Sequence, residues 1–92
     1  MPEHQLLSIT VFKSHASVRV RVSFSRDESV TPYLVKVHED GAAAKAGLQV
    51  GDALQEIDGE PTTTPYEAAA SLRKRSGNIT IKALRTIFTL DD

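Results

Sequence analysis

Apolar and polar residues alternate with a period of two in several short segments of the chain. The clearest segment is residues 18–24, where three valines and a phenylalanine alternate with two arginines and a serine. Such alternation predicts a β-strand with one buried face. By the same criterion we predict four further strands, at residues 6–13, 33–37, 53–57 and 78–84. In the strand at 33–37 we place Tyr33, Val35 and Val37 on one side.

Two helices and one tight turn are predicted between these strands. An alanine-rich segment at 42–46 is followed by Gly47, and glycine commonly ends a helix in the left-handed conformation. Asp58-Gly59 predicts a type I′ hairpin turn, which needs positive φ at both central residues.

The second helix has clear start and stop signals. Thr64 is placed as its N-cap, Pro65 suits the first helical position, and Glu67 completes a capping box. Gly77 follows as a stop. Within this helix Ala68, Ala69 and Leu72 form the predicted inward stripe.

Composition limits the class of protein. The chain has 92 residues, 40% of them hydrophobic, which suits one domain of α+β class, mainly β, over residues 1–92, with a core at 6–84 and a C-terminal extension at 85–92. Without cysteine it forms no disulfide or thiolate metal site. Eleven basic and twelve acidic residues argue against a general nucleic-acid binder. The chain has no signal-like start and no long apolar run, so we expect it in the cytoplasm. Partner proteins could hold it there at the cytoskeleton or at a membrane.

The sequence carries no recognisable catalytic or cofactor motif. His4, His15 and His38 lack the spacing that places two metal ligands on one helix face. No glycine-rich phosphate loop precedes a helix, and no serine lies in a nucleophile-elbow context. We therefore predict a protein that is not an enzyme and that uses no cofactor or metal.

Residues 41–59 contain three short motifs in a fixed order. They are Ala46-Gly47-Leu48, then Gly51-Asp52, then Asp58-Gly59. This order and spacing resemble the central signature of PDZ domains, and the resemblance covers residues 6–84. It implies a partly open antiparallel barrel of five to six strands capped by two helices. It also implies a scaffold or adaptor module that binds short C-terminal peptides.

The PDZ resemblance implies a carboxylate-binding loop before the second strand. The family usually carries Gly-Leu-Gly-Phe there, with a basic residue four positions earlier. The equivalent here is Ser17-Val18-Arg19-Val20, preceded by Lys13, so the apolar positions are kept and both glycines are absent. The backbone N–H groups of Val18, Arg19 and Val20 are then expected to hold a terminal carboxylate, with Lys13 nearby.

The resemblance also implies where the rest of a ligand lies. It adds as an antiparallel strand to the second strand, and its apolar last side chain enters a pocket. That pocket is formed by Val18, Val20, Val22, Ala69 and Leu72. The antepenultimate ligand residue meets Pro65, or Tyr66 if the register is shifted by one, and either favours a hydrophobic residue. Arg19 and Arg21 predict tolerance for acidic ligand residues, or they protect a strand edge from aggregation.

Several alternatives stay open at this point. The loss of both loop glycines also suits a degenerate domain with a structural or dimerising role, and PDZ domains occur as regulatory parts of proteases. The loop lies between the first two strands, as in scaffold-type domains. A homo-oligomer through strand edges or the 85–92 tail is a further option. The basic residues 73–75 suit a lipid head group or, as we prefer, the helix C-terminal dipole.

Overall fold

The structure is a computed structural model that describes residues 3–15, 17–26 and 31–87. In these residues the chain forms β1 (Glu3–Lys13), β2 (Val22–Phe24), β3 (Leu34–Val37), α1 (Ala42–Ala46), β4 (Ala53–Ile57), β5 (Glu60–Pro61), α2 (Pro65–Lys74) and β6 (Gly77–Ile87). The predicted bounds of the 42–46 helix and the 53–57 strand are confirmed. None of the described helices has the length and apolar character needed to cross a membrane.

The strands form two antiparallel sheets that do not close into a barrel. The larger has the order β1-β6-β4-β5, and the smaller pairs β2 with β3. A bridge between Tyr33 and Ala53 links the smaller sheet to β4. This confirms a mainly β, α+β architecture with two helices.

The core lies on the inner face of the larger sheet and under both helices. β1 and β6 pair so that Val11 faces Ile79 and Ile9 faces Ile81, and alternate residues of both strands point inward. α1 adds Ala43, and α2 adds Ala68 and Leu72, all buried. Because α2 packs through this stripe, its position relative to β2 is set by the core.

The predicted end of α1 and the predicted start of α2 are confirmed, but the predicted stop at Gly77 is not, because α2 ends at Lys74 and Gly77 is the first residue of β6. Gly47 has φ of 101°, and its N–H donates to the carbonyl of Ala44 at 3.1 Å. At the start of α2 the Thr64 hydroxyl accepts from the Glu67 N–H at 3.1 Å. The Glu67 carboxylate accepts from the Thr63 hydroxyl and not from the Thr64 N–H, so only the Thr64 half of the predicted capping box forms.

The Asp58-Gly59 turn is also confirmed. Both residues have positive φ, 51° and 84°. The Asp58 side chain accepts from the Thr80 N–H at 2.8 Å, and Arg75 donates to Asp58 at 3.2 Å and to Glu60 at 2.6 Å. The turn is thereby tied to the end of α2.

The prediction of one strand over 18–24 is wrong for its first half, since β2 begins at Val22. Arg21 has φ of 66°, a left-handed conformation that interrupts an extended strand. The Val20 carbonyl accepts instead from the Ala43 N–H of α1 at 3.3 Å. Val20 is buried, and Val18 and Val22 are half-buried between exposed neighbours. The alternation in exposure is therefore correct, because a loop packed on α1 buries Val20 as well as a strand does.

The prediction placed Tyr33, Val35 and Val37 on one side of the third strand and left open which side faces the core. Leu34 is fully buried, whereas Tyr33 and Val35 are exposed. The Leu34 N–H donates to the Asp52 carbonyl, and its own carbonyl accepts from the Gly51 N–H. These bonds turn Leu34 toward the core, a choice that five largely apolar residues leave ambiguous.

β1 and β6 are longer than predicted at the ends that pair with each other. Glu3 pairs with Ile87, so β6 runs three residues into the segment that we separated as a C-terminal extension. Residues 88–92 lie outside the described part of the chain.

Candidate functional site

A groove of about 860 Å³ runs between α2 on one side and β2 with the preceding loop on the other. Its lining residues are Lys13, Ser17, Val18, Arg19, Val20, Arg21, Val22, Phe24, His38, Ala69, Leu72 and Arg73. Nine of the eleven predicted site residues therefore line one cavity, although they come from three separate parts of the chain.

The apolar part of the groove is the predicted one. Val18, Val20 and Val22 line it from the loop and β2. Ala69 and Leu72 line it from α2, with Arg73 on the same helix face at spacings of three and four residues. Leu72 and Val20 also belong to the core, so the groove floor is rigidly packed.

The edge of β2 toward the groove presents backbone polar groups. On the other edge, the Arg21 carbonyl accepts from the His38 N–H at 3.1 Å, and the Ser25 N–H donates to the Tyr33 carbonyl at 2.8 Å. Residues of an antiparallel strand alternate in the edge that they present. The N–H and C=O groups of Val22 and Phe24 therefore point away from β3, toward the groove.

The loop before β2 offers fewer amides than the sequence predicts. The Val18 N–H donates to the His15 carbonyl at 3.1 Å and closes a turn, so the expectation that it holds a carboxylate is not met in this conformation. In the described part of the chain no backbone carbonyl accepts from the N–H of Arg19 or Val20. These two amides are therefore the candidate donors for an anion in this loop.

Lys13 lies at the end of the groove beside the C-terminus of α2. Its Nζ donates to the Leu72 carbonyl at 2.6 Å and to the Arg73 carbonyl at 3.4 Å. The side chain is only 1% exposed, and this burial lowers the pKa of Lys13. The ammonium group thus sits where the helix dipole favours a cation.

Two predicted positions do not line the groove. α2 begins at Pro65, so Pro65 is the first helical residue as predicted, but its side chain is buried. Tyr66 is 78% exposed and is not among the residues that line the groove. That Pro65 or Tyr66 contacts a ligand stays a prediction.

Three lining residues were missed in the sequence. Phe24 continues the valine alternation by one step, and Arg73 follows Ala69 by four residues, so both had a usable signal. His38 follows β3, whose pairing with β2 brings it to the groove, and no local pattern indicates this.

Arg19 and Arg21 are exposed on the loop rather than on the outer face of a strand. Both also line a second cleft of about 690 Å³, on the α1 side of the loop, together with Asp40 and Lys45. Among the described residues no group of three histidine or acidic side chains is placed to hold a metal ion.

A family model described as PDZ domain matches residues 33–85. The chain belongs to the PDZ family. The matched segment contains the predicted signature, α2 and most of β6. The loop and β2, which form the other wall of the groove, precede the matched segment.

Solved PDZ structures share this fold. The PDZ domain of choanoflagellate GIPC has a TM-score of 0.82 and 18% identity, over 96% of this chain and 98% of that one. The third PDZ domain of human hDlg5 has a TM-score of 0.78 and 26% identity, over 97% and 78%. A further similar structure, at TM-score 0.82 and 17% identity over 96% and 98%, is choanoflagellate GIPC bound to a GAIP peptide.

A curated relative is similar in sequence over a shorter segment. The regulator of sigma-E protease RseP of Salmonella typhimurium is 36% identical over 52 residues. The match covers 56% of this chain and 12% of that protein. The similarity therefore concerns one part of a much longer relative.

Proposed function

We propose that this PDZ domain is a non-catalytic adaptor module, without a cofactor and acting in the cytoplasm, that binds the C-terminal segment of a partner protein. The groove between β2 and α2 carries the proposal, because an apolar trough lies beside a row of outward-pointing backbone groups. The similar domain of choanoflagellate GIPC is described as bound to GAIP and B1AR peptides.

The ligand adds as an antiparallel strand to the groove edge of β2 and bonds to the backbone of Val22 and Phe24. Its apolar last side chain enters the trough between the valines and Ala69. Its carboxylate accepts from the N–H groups of Arg19 and Val20, with the buried cation of Lys13 nearby.

The expected affinity is modest. Each hydrogen bond to the carboxylate contributes about 1.5–3 kcal/mol, and burial of the last side chain contributes a similar amount. Association costs roughly 4–15 kcal/mol. A dissociation constant on the order of micromolar results.

A peptide library with free C-termini tests this function, with amidated copies of each hit as controls. Fluorescence polarisation should show that amidation weakens binding by about tenfold or more, since it removes a charged acceptor. Equal binding of acid and amide would refute carboxylate recognition. That result would instead indicate that the groove binds an internal segment of the partner as an added strand.

The residues around the groove set its specificity. Pro65, or Tyr66 if the register is shifted by one, favours a hydrophobic antepenultimate residue from the start of α2, outside the groove lining. Arg19 and Arg21 favour acidic residues by charge complementarity. Reversing both arginines to glutamate should abolish any preference for acidic peptides. The matched control reverses Lys36 and Lys74, which are exposed and outside the groove lining. An unchanged preference in the arginine variant contradicts this assignment.

A second candidate is a regulatory PDZ domain of a larger protease-type protein. The similarity to RseP favours it. The complete coding sequence around this segment tests it, since a flanking protease domain is required. If one is found, groove peptides should change its cleavage rate.

A further inference from the structure

β1 lies at an edge of the four-stranded sheet. It is eleven residues long, and within the described ranges it pairs with β6 and with no other strand. Near its C-terminal end, Thr10 and Phe12 line the cleft beside α1. Toward its N-terminal end, His4, Leu6 and Ser8 are exposed.

This edge lacks the features that usually stop strands from pairing with other chains. Residues 5–12 contain no charged residue, proline or glycine. The opposite edge of the sheet, β5, is two residues long and consists of Glu60 and Pro61. Charge, proline and short length protect an edge strand, so β5 is protected and β1 is not.

We propose that the N-terminal half of β1 pairs with the same segment of a second copy of this chain, antiparallel about a two-fold axis at Leu6. A symmetric pair of this kind satisfies the same edge on both molecules. An axis at Leu6 places Leu6 of one copy opposite Leu6 of the other, and His4 of each copy opposite Ser8 of the other.

The outer face of the sheet favours a second copy as the occupant. Leu6 is 61% exposed and pairs with Leu84 of β6. Two copies would bring four leucines together across the axis, while the uncharged edges meet without repulsion. A single strand pair buries less than about 1,200 Å², which is typical of weak and transient interfaces.

Analytical ultracentrifugation up to millimolar protein tests the proposal. The wild type should show a reversible monomer–dimer equilibrium. Leu6→Lys should weaken it by about tenfold or more, because like charges then face each other across the axis. Val35→Lys is the matched control, since Val35 is 47% exposed and lies on β3 of the smaller sheet, which does not pair with β1. A monomer at every concentration, or equal weakening by both variants, overturns the proposal.

Single cysteines test the register, because the natural chain has none. Paired residues of antiparallel strands have Cα atoms about 4.5–5.5 Å apart, within reach of a disulfide. Under mild oxidation Leu6→Cys should cross-link fastest. His4→Cys mixed with Ser8→Cys should cross-link faster than either alone. If Leu6→Cys is no faster than the exposed control Ser76→Cys, the two-fold at Leu6 is wrong. The proposal does not depend on the groove, and peptide binding is measured separately.

Discussion

At the scale of single residues, the shape of the groove depends on Lys13 and Gly41. Lys13 joins the end of β1 to the last turn of α2 through the carbonyls of Leu72 and Arg73. Gly41 lets the loop before β2 approach α1, because a Cβ at this position would lie 2.6 Å from the Arg21 Cβ and 2.7 Å from the Val20 carbonyl oxygen. Lys13 thus fixes the position of α2 on one side of the groove, and Gly41 permits the position of the loop on the other side.

Lys13 should make stability depend on pH. Its burial lowers its pKa below the ordinary 10.5. Between the lowered pKa and 10.5 the unfolded chain holds a proton that the folded chain has released, so the Lys13 contribution to stability rises with pH in that window. Urea unfolding of wild type and Lys13→Met should show a difference that shifts in favour of the wild type as pH rises toward 10.5. A constant difference contradicts this prediction.

Gly41→Ala should destabilise the domain by about 1–3 kcal/mol, since the added methyl group meets the Val20 backbone and cannot be accommodated by a rotamer change. Thermal and urea unfolding measure the loss. Arg21→Gly in the same chain removes one of the two clashing atoms and the strain of a left-handed arginine. It should restore part of the stability. No restoration would show that the Val20 oxygen alone sets the cost.

At the scale of elements, β6 is joined to the segment before β4 by one buried ion pair. Asp52 is 1% exposed and accepts from Arg85 Nε and Arg85 Nη2, both at 2.8 Å, and from the Gln49 N–H at 2.9 Å. Arg85 also donates to the Gly47 carbonyl at 2.8 Å. The hydrogen bond to Asp52 raises the pKa of Arg85, so the guanidinium keeps its charge.

Arg85→Met should cost about 3–5 kcal/mol, because it leaves a buried carboxylate without its cation. The control is Lys82→Met on the same strand, which removes an exposed pair with Glu56 at 3.4 Å and should cost less than about 1 kcal/mol. Urea unfolding compares them. Similar losses in both variants would show that the buried pair contributes no more than the exposed one.

At the scale of the whole molecule, the proposed function needs an open trough between β2 and α2. Ala69 is half-buried in the trough, and its neighbour Ala70 is exposed on the helix surface. A large side chain at residue 69 would therefore fill the trough in which we propose that the ligand binds, whereas one at residue 70 would point to solvent.

Ala69→Trp should weaken binding of peptides selected from the library by about tenfold or more, and Ala70→Trp should leave it within about twofold. Fluorescence polarisation measures both, and thermal unfolding checks that each variant is folded. Equal affinities would place the ligand outside the groove.

Local patterns in the chain were sufficient for the elements whose ends are set by backbone chemistry. Gly47, Thr64 with Pro65, and Asp58-Gly59 marked their helix ends and turn correctly, because positive φ and capping bonds depend on neighbouring residues only. The alternating valines likewise separated the less exposed side chains from the exposed Arg19 and Arg21. The motif order within residues 41–59 was enough to indicate the PDZ family.

Tertiary structure alone decided what the loop and the ends of the strands do. Arg21 adopts a left-handed conformation because the loop packs on α1 at Gly41, and Leu34 turns inward because of bonds to Gly51 and Asp52. The Val18 amide closes a turn with His15 instead of facing the groove. Each of these outcomes depends on contacts between distant parts of the chain, and a period-two pattern contains no information about such contacts.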